Sequence, residues 1–254
     1  MDDFKRAFAL MDGIDERIAE RVDPTPHGRL IVSTRLFHVH DQNFLRVADP
    51  GDASARELAA EADAAQSRYP QVRHRRVNLR GAEPSARLEP GFLALGWAPQ
   101  RFVLMVQRKD SDRKPDAPVH EVEEPGLRAA WAEGSRSFLP NEEVVRQVVD
   151  HHTAIGLVIP TRYFAVAAEG RVGAYCELYS WDGVGQVENV VTLPPFRNRG
   201  FARALVMRAT AESRAENDLT FLVADADDWP YRLYEKLGFE IVGRYSRFLK
   251  DPRR

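Results

Sequence analysis

The sequence predicts an α/β protein built from two related units in tandem. Three observations point there. Apolar segments of strand-like and helix-like period alternate along all 254 residues. The stretch from 109 to 117, Lys-Asp-Ser-Asp-Arg-Lys-Pro-Asp-Ala, is charged, lacks an apolar face and reads as a central linker. Phe92-Leu-Ala-Leu-Gly-Trp97 and Tyr234-Glu-Lys-Leu-Gly-Phe239 stand at a constant offset of 142 residues, each followed by an apolar strand. The expected division is residues 1–115 and 118–254.

In the first unit a helix is expected over 3–21, then a strand over Leu30–Phe37. Ala53–Ser67 is rich in Ala and Glu and reads as a helix; Val72–Leu79 alternates like a strand. A short helix near 85–95 and the strand Phe102–Val106 complete it. The second unit opens with a short strand, Val119–Glu123, and helices over Leu127–Phe138 and Glu142–Val158. The latter carries Val144, Val145, Val148, Val149 and His152 on or near one stripe. Strands follow over Tyr163–Ala168, Val172–Ser180 and Gly185–Thr192. The helix Gly200–Glu216 spaces Phe201, Leu205 and Ala209 four apart. Strand Leu219–Ala224 comes next, then helix Pro230–Leu237, opened by a proline in its first turn and stopped by Gly238. A last strand spans Tyr245–Leu249.

Apolar content of 44% and charged content of 29% suit a globular protein. Lys plus Arg (36) nearly balances Asp plus Glu (38), a net charge of −2, so nothing argues for nucleic acid or an acidic membrane as partner. No apolar run reaches the roughly 18 residues of a membrane span. The opening Met-Asp-Asp-Phe-Lys-Arg is unlike a signal peptide, which leads to an expected cytoplasmic location. Cys176 is the single cysteine, which excludes an intramolecular disulfide and a cysteine-rich zinc site, and it is expected to be buried.

The most informative segment is Val187-Glu-Asn-Val-Val-Thr-Leu-Pro-Pro-Phe-Arg-Asn-Arg-Gly-Phe-Ala202. It reads as an apolar strand, a turn, and a helix opened by Arg197-x-x-Gly200-x-Ala202. The first N–H groups of a helix have no partner within it, and the helix dipole favours anions there. Small residues at 200 and 202 admit a bulky anion, and Arg197 and Arg199 add charge. A phosphate group, most naturally a pyrophosphate, fits this loop; a plain strand–helix turn with surface arginines is the other reading.

This segment, followed by Asp227-Asp-Trp-Pro-Tyr-Arg-Leu-Tyr-Glu-Lys-Leu-Gly-Phe239, resembles the GNAT superfamily of acyl-CoA-dependent N-acyltransferases over residues 118–250. The resemblance implies two tandem GNAT-like units, each a mixed, mostly antiparallel sheet flanked by helices. It implies acetyl-CoA as cosubstrate, its pyrophosphate on Arg197, Asn198, Arg199, Gly200, Phe201 and Ala202. The backbone of Val190, Val191 and Thr192 would pair with the pantetheine arm, and Tyr234 would return a proton to the departing thiolate. Pro194 and Pro195 cannot donate ladder hydrogen bonds, so the sheet is expected to loosen just after this strand. Where the family often has Asn, this chain has Asp227; a carboxylate cannot donate an amide's hydrogen bonds, which leaves a cofactor contact there in question. The first unit has Phe92 in place of Tyr234, and its nearest glycine turn, Arg80-Gly-Ala-Glu-Pro, lacks free donors. One active site per chain is expected, with the first unit degenerate.

For the base, Glu188 is the candidate. If Asp182-Gly183 is a two-residue hairpin turn, Glu177 faces Glu188 across the strands, and like charges there raise one carboxyl's pKa. A one-residue slip would separate them, leaving two solvated glutamates. Asp150-His151-His152 is expected on a helix surface, with a pocket-lining role as the alternative; adjacent histidines diverge by about 100° and rarely share a metal. Asp225-Ala-Asp227-Asp228 is expected as a turn and N-cap cluster, and Trp229 and Tyr231 as packing residues. No metal is expected. The expected activity is direct transfer of a short acyl group from acetyl-CoA to a primary amine, on a small molecule or a peptide; the alternative is a non-catalytic acyl-CoA sensor or scaffold. A nucleotide phosphate site ranks below both, since neither a P-loop nor a Rossmann glycine pattern is present.

Overall fold

Asp2 accepts a hydrogen bond from the Lys5 N–H and starts the first helix, α1 (Asp3–Ile18), which buries Ala7, Leu10, Ile14 and Ile18. The helix stops at its last stripe residue, short of the expected 21, because Ala19 is extended and leads into β1 (Arg21–Thr25). β1 pairs antiparallel with β2 (Gly28–Val32). The strand expected to reach Phe37 ends at Val32, and a 3-10 turn over Thr34–Leu36 follows. A strand absent from the sequence reading, β3 (Asn43–Val47), is buried along its whole length. Then come α2 (Ala55–Gln66), β4 (Arg75–Arg80), α3 (Ala82–Ala94) and β5 (Ala98–Gln107). The computed structural model describes residues 1–111, 115, 117–139 and 141–251, so the expected linker falls partly outside the described residues.

The second half runs β6 (His120–Val122), α4 (Arg128–Arg136), α5 (Glu142–Val158), β7 (Thr161–Ala168), β8 (Arg171–Trp181), β9 (Val184–Thr192), α6 (Phe201–Glu216), β10 (Leu219–Asp225), α7 (Pro230–Lys236) and β11 (Phe239–Lys250). Helix α5 has the expected bounds; the other elements differ from expectation mainly at their ends. Gly238, at φ +89°, makes the left-handed turn that ends α7.

The eleven strands of the described residues form one sheet, in the order β1-β2-β3-β4-β11-β5-β10-β9-β8-β7-β6. Its pairs are antiparallel except β3 with β4 and β9 with β10. The order is a near-palindrome. β3–α2–β4–α3–β5 repeats the path of β9–α6–β10–α7–β11, and each run contains the one parallel pair of its half. The closing strands are exchanged: β5 lies beside β10, and β11 lies beside β4. The sequence suggests a separate sheet per unit; the exchange joins them into one.

Phe92 on α3 is fully buried, stacked on Phe248 of β11 (4.2 Å between ring centres, 11° apart) and edge-on to Trp97 (5.4 Å). It therefore fastens the exchanged strand to the first half. Phe92→Ala is expected to lower the unfolding free energy by about 3–5 kcal/mol, read from urea unfolding. A loss under about 1 kcal/mol would mean that this contact does not hold β11.

Candidate active site

Asp182 (φ +51°) and Gly183 (φ +70°) form the expected two-residue turn between β8 and β9. Trp181 consequently faces Val184, and Glu177 faces Glu188, as the hairpin register requires. Beyond this pair the ladder slips, and Asn189 has φ +51°, a left-handed residue inside a strand. A bulge of this kind re-aims side chains and frees backbone groups.

On its other side β9 pairs in parallel with β10 only from Val184 to Gln186. The strands then part. The sequence places the loosening after Thr192, at the prolines; in the structure it begins before the bulge, while pairing with β8 persists to Thr192. The opening is a cavity of about 260 Å³ lined by residues 187–191 of β9, 222–225 of β10, Pro230 and Tyr234. Val190 and Val191 thus border an open cleft on their β10 side, with Glu188 and Tyr234 on its walls.

Past the cleft the chain reaches α6. Gly200 has φ +77° and leads the helix without a side-chain cap. The first backbone bond of α6 runs from the Ala204 N–H to the Gly200 carbonyl, which leaves the N–H groups of Phe201 and Ala202 without helical acceptors. Asn198 is also left-handed (φ +63°), and such turns gather N–H groups into anion-binding concavities. Residues 197–199 are exposed. Arg197 donates to the Thr192 carbonyl (3.4 Å), and Arg199 pairs with Glu169 (3.2 Å). The matching helix of the first half, α2, is closed by its own capping box: Ser54 accepts from Glu57 N–H, and Glu57 accepts from Ser54 N–H. An anion there would meet the Glu57 carboxylate.

The two glutamates are unlike. Glu177 is fully buried; it accepts from Tyr179 Oη (2.5 Å) and Asn189 Nδ2 (2.7 Å) and lies 3.2 Å from His152 Nδ1. Burial alone would raise its pKa, but the His152 charge and these hydrogen bonds hold it below the usual carboxylate range. Glu188 is half-buried and accepts from Gln186 Nε2 (2.5 Å). Its pKa is raised, by burial first and only to a small extent by Glu177. The like-charge pairing therefore contributes less than expected, because His152 compensates one partner.

His152 contradicts the surface expectation: it is stacked on buried Trp131 (5.0 Å) and pointed at Glu177. Burial lowers the His151 pKa to about 4, and its Nε2 has no partner. Tyr234 is buried, with its phenol pushed above its ordinary pKa by burial first and by the charge of Glu188. Cys176 is buried as expected. Asp227 is exposed and paired with Arg101 of β5 (2.8 Å); Asp225, not Asp227, lines the cleft. Asp225 and Asp228 accept from nearby N–H groups as a turn, yet α7 has no side-chain cap, and Trp229 is exposed rather than packed. Asn189 and the His152–Glu177 contact went unnoticed in the sequence; the only signal was an asparagine interrupting the Val187-to-Val191 alternation. Among the described residues no cluster of three His, Cys, Asp or Glu is placed to hold a metal.

Residues 129–239, spanning the bulged strand, the uncapped helix and Tyr234, match the acetyltransferase (GNAT) family. That segment, a little under half of the chain, is similar to GNAT acetyltransferases. A functionally unknown conserved protein from Staphylococcus epidermidis shares the fold (TM-score 0.70, 13% identity, 92% of this chain and 94% of that one). So does a GCN5-related N-acetyltransferase from Kribbella flavida (0.59, 16%, 98% and 95%). A tandem GNAT protein from the clavulanic acid biosynthesis pathway is also similar (0.50, 15%, 81% and 74%). No curated protein matches the chain. The match over residues 129–239 suggests acyl transfer from acetyl-CoA. No helix of the described residues is long and apolar enough to cross a membrane.

Proposed function

We propose that this GNAT protein transfers an acetyl or short acyl group from acetyl-CoA to a primary amine, with both substrates bound together. The observation that carries this reading is one cleft, opened between β9 and β10, with Glu188 and Tyr234 on its walls. The pantetheine arm lies along Val190, Val191 and Thr192, and the pyrophosphate rests on residues 197–202 at the start of α6. Glu188, with its raised pKa, takes a proton from the ammonium directly or through water. The free amine attacks the thioester carbonyl, whose developing oxyanion is met by N–H groups of β9. The C–N bond forms and the C–S bond breaks; Tyr234, kept protonated by its raised pKa, donates to the sulfur. For each ammonium consumed, one proton reaches CoA and one leaves to solvent.

Residues 118–254 carry this chemistry, and residues 1–115 form a degenerate unit whose helix start is capped and whose Phe92 has no proton to give. The test is CoA release from acetyl-CoA across a panel of primary amines, followed against pH. Glu188→Gln is expected to slow turnover roughly 100-fold and to remove the acidic limb, which otherwise lies above the ordinary carboxylate range. Tyr234→Phe serves as the control on thiolate protonation. An unchanged limb in Glu188→Gln would remove Glu188 from the mechanism.

A further inference from the structure

On the face of the sheet covered by α1 lies a second cavity, about 50 Å³, between that helix and strands β3, β4 and β11. Its charged lining is Asp12, Asp15, Asp41, Arg46, Arg80 and Arg247. All three carboxylates have an arginine partner, Asp15 lying 3.3 Å from Arg46 Nη2. Asp12 pairs with Arg46 (3.1 Å) and with Arg80, while Asp41 serves both Arg76 (2.8 Å) and Arg247 (3.0 Å). Burial pushes the third, Asp15, up to about 7 against the pull of Arg46, so near neutrality it is part protonated and can donate.

Arg247 lies over the Phe102 ring (4.5 Å), with Nη1 on Asp41 and Nη2 on Tyr245 Oη (3.3 Å). Its Nε is buried and has no partner. Arg247 lines the cavity, and of its five N–H donors only two are taken, by Asp41 and Tyr245, so donor capacity remains on a planar guanidinium that among the described residues shares its carboxylate with Arg76. A carboxylate is the group that such a fork receives best. Roughly 10–15 Å³ of such space suffices for one water, so the cavity has room for a carboxylate end.

Arg247 and Glu188 also feel each other's charge. They lie on β11 and β9, separated by β5 and β10, three strand spacings of roughly 4.8 Å. Even with both side chains reaching inward, one carbon cannot present its amine to Glu188 and its carboxylate to Arg247. We propose that the acceptor is an amine bearing a carboxylate several bonds away, with that carboxylate held by Arg247 in the α1 cavity. The proposal rests on the acyltransferase reading and names the substrate class of that same site.

The test is calorimetric titration of the native chain, with and without CoA, using 6-aminohexanoate and its uncharged amide 6-aminohexanamide. The acid is expected to bind at least tenfold more tightly than the amide, and Arg247→Met to erase the difference. Acetyl-CoA affinity and thermal melting report whether that variant is folded, and the acid-versus-amide comparison on the native chain needs no variant. Equal binding of the two probes, or binding of neither, overturns the proposal. Failure of acetyl-CoA to bind overturns the acyltransferase reading instead, and the acid's binding without CoA still decides the cavity.

Discussion

Gly200→Glu is expected to abolish acetyl-CoA binding, at least 100-fold in Kd by calorimetry, while leaving the chain folded. The substitution places a carboxylate at the uncapped start of α6, where the N–H groups of Phe201 and Ala202 would face an anion. The backbone at 200 is left-handed (φ +77°), so any side chain there adds about 1–2 kcal/mol of strain. That cost is small enough to leave a cooperative thermal transition, which separates lost affinity from lost fold. Gly200→Ala carries the strain without the charge and should keep most of the binding. Unchanged affinity in Gly200→Glu would move the pyrophosphate elsewhere. Binding without turnover of any amine would instead favour an acyl-CoA sensor.

Glu177→Ala is expected to cost about 3–5 kcal/mol of stability, since it strands His152, Tyr179 Oη and Asn189 Nδ2 in a buried site. Its pH dependence has two limbs. The Glu177 pKa is lowered on folding, so its contribution is present above the ordinary carboxylate value and is lost as pH falls through the folded one. Burial would lower the His152 pKa, but Glu177 raises it above 6.5. Its contribution is therefore complete below 6.5 and is lost as pH rises through the raised value. Glu177→Gln, which keeps an oxygen for Asn189, should hold the bulge while flattening both limbs. Chemical unfolding across pH 4–9 reads this; a Glu177→Ala chain as stable as the native one would mean that the triad is slack.

Helices and the central strands were legible wherever one period dominated. The apolar stripe of α5 gave its bounds, and the overreach of α1 covers Ala19 to Arg21, which lie beyond Ile18, the last stripe residue. Two strands were hidden by their composition. β1 contains Asp23 and Pro24, tolerated because it is an edge. β3 buries Arg46 among Asp12, Asp15 and Glu16, partners distant in sequence, so no local alternation marks it. In the site, hairpin register could be deduced because a two-residue turn fixes it. The bulge could not, since it turns on a residue inside the strand, Asn189, taking a left-handed conformation, nor could the parting of β9 from β10 after Gln186, which no local pattern marks. His152 was misplaced because helix periodicity says which stripe a residue occupies, not what stands opposite it.

The exchanged closing strands also bear on how the chain comes into being. β11 is the last strand made, and it completes β4, synthesised far earlier. Until then β4 presents an open edge, and β5 lies beside strands not yet made. Neither half can finish folding as it emerges from the ribosome, and contacts this distant in sequence slow the search for the native sheet. Cutting the chain at its middle would hand each fragment a strand that belongs beside the other, a geometry suited to reassembly from two pieces.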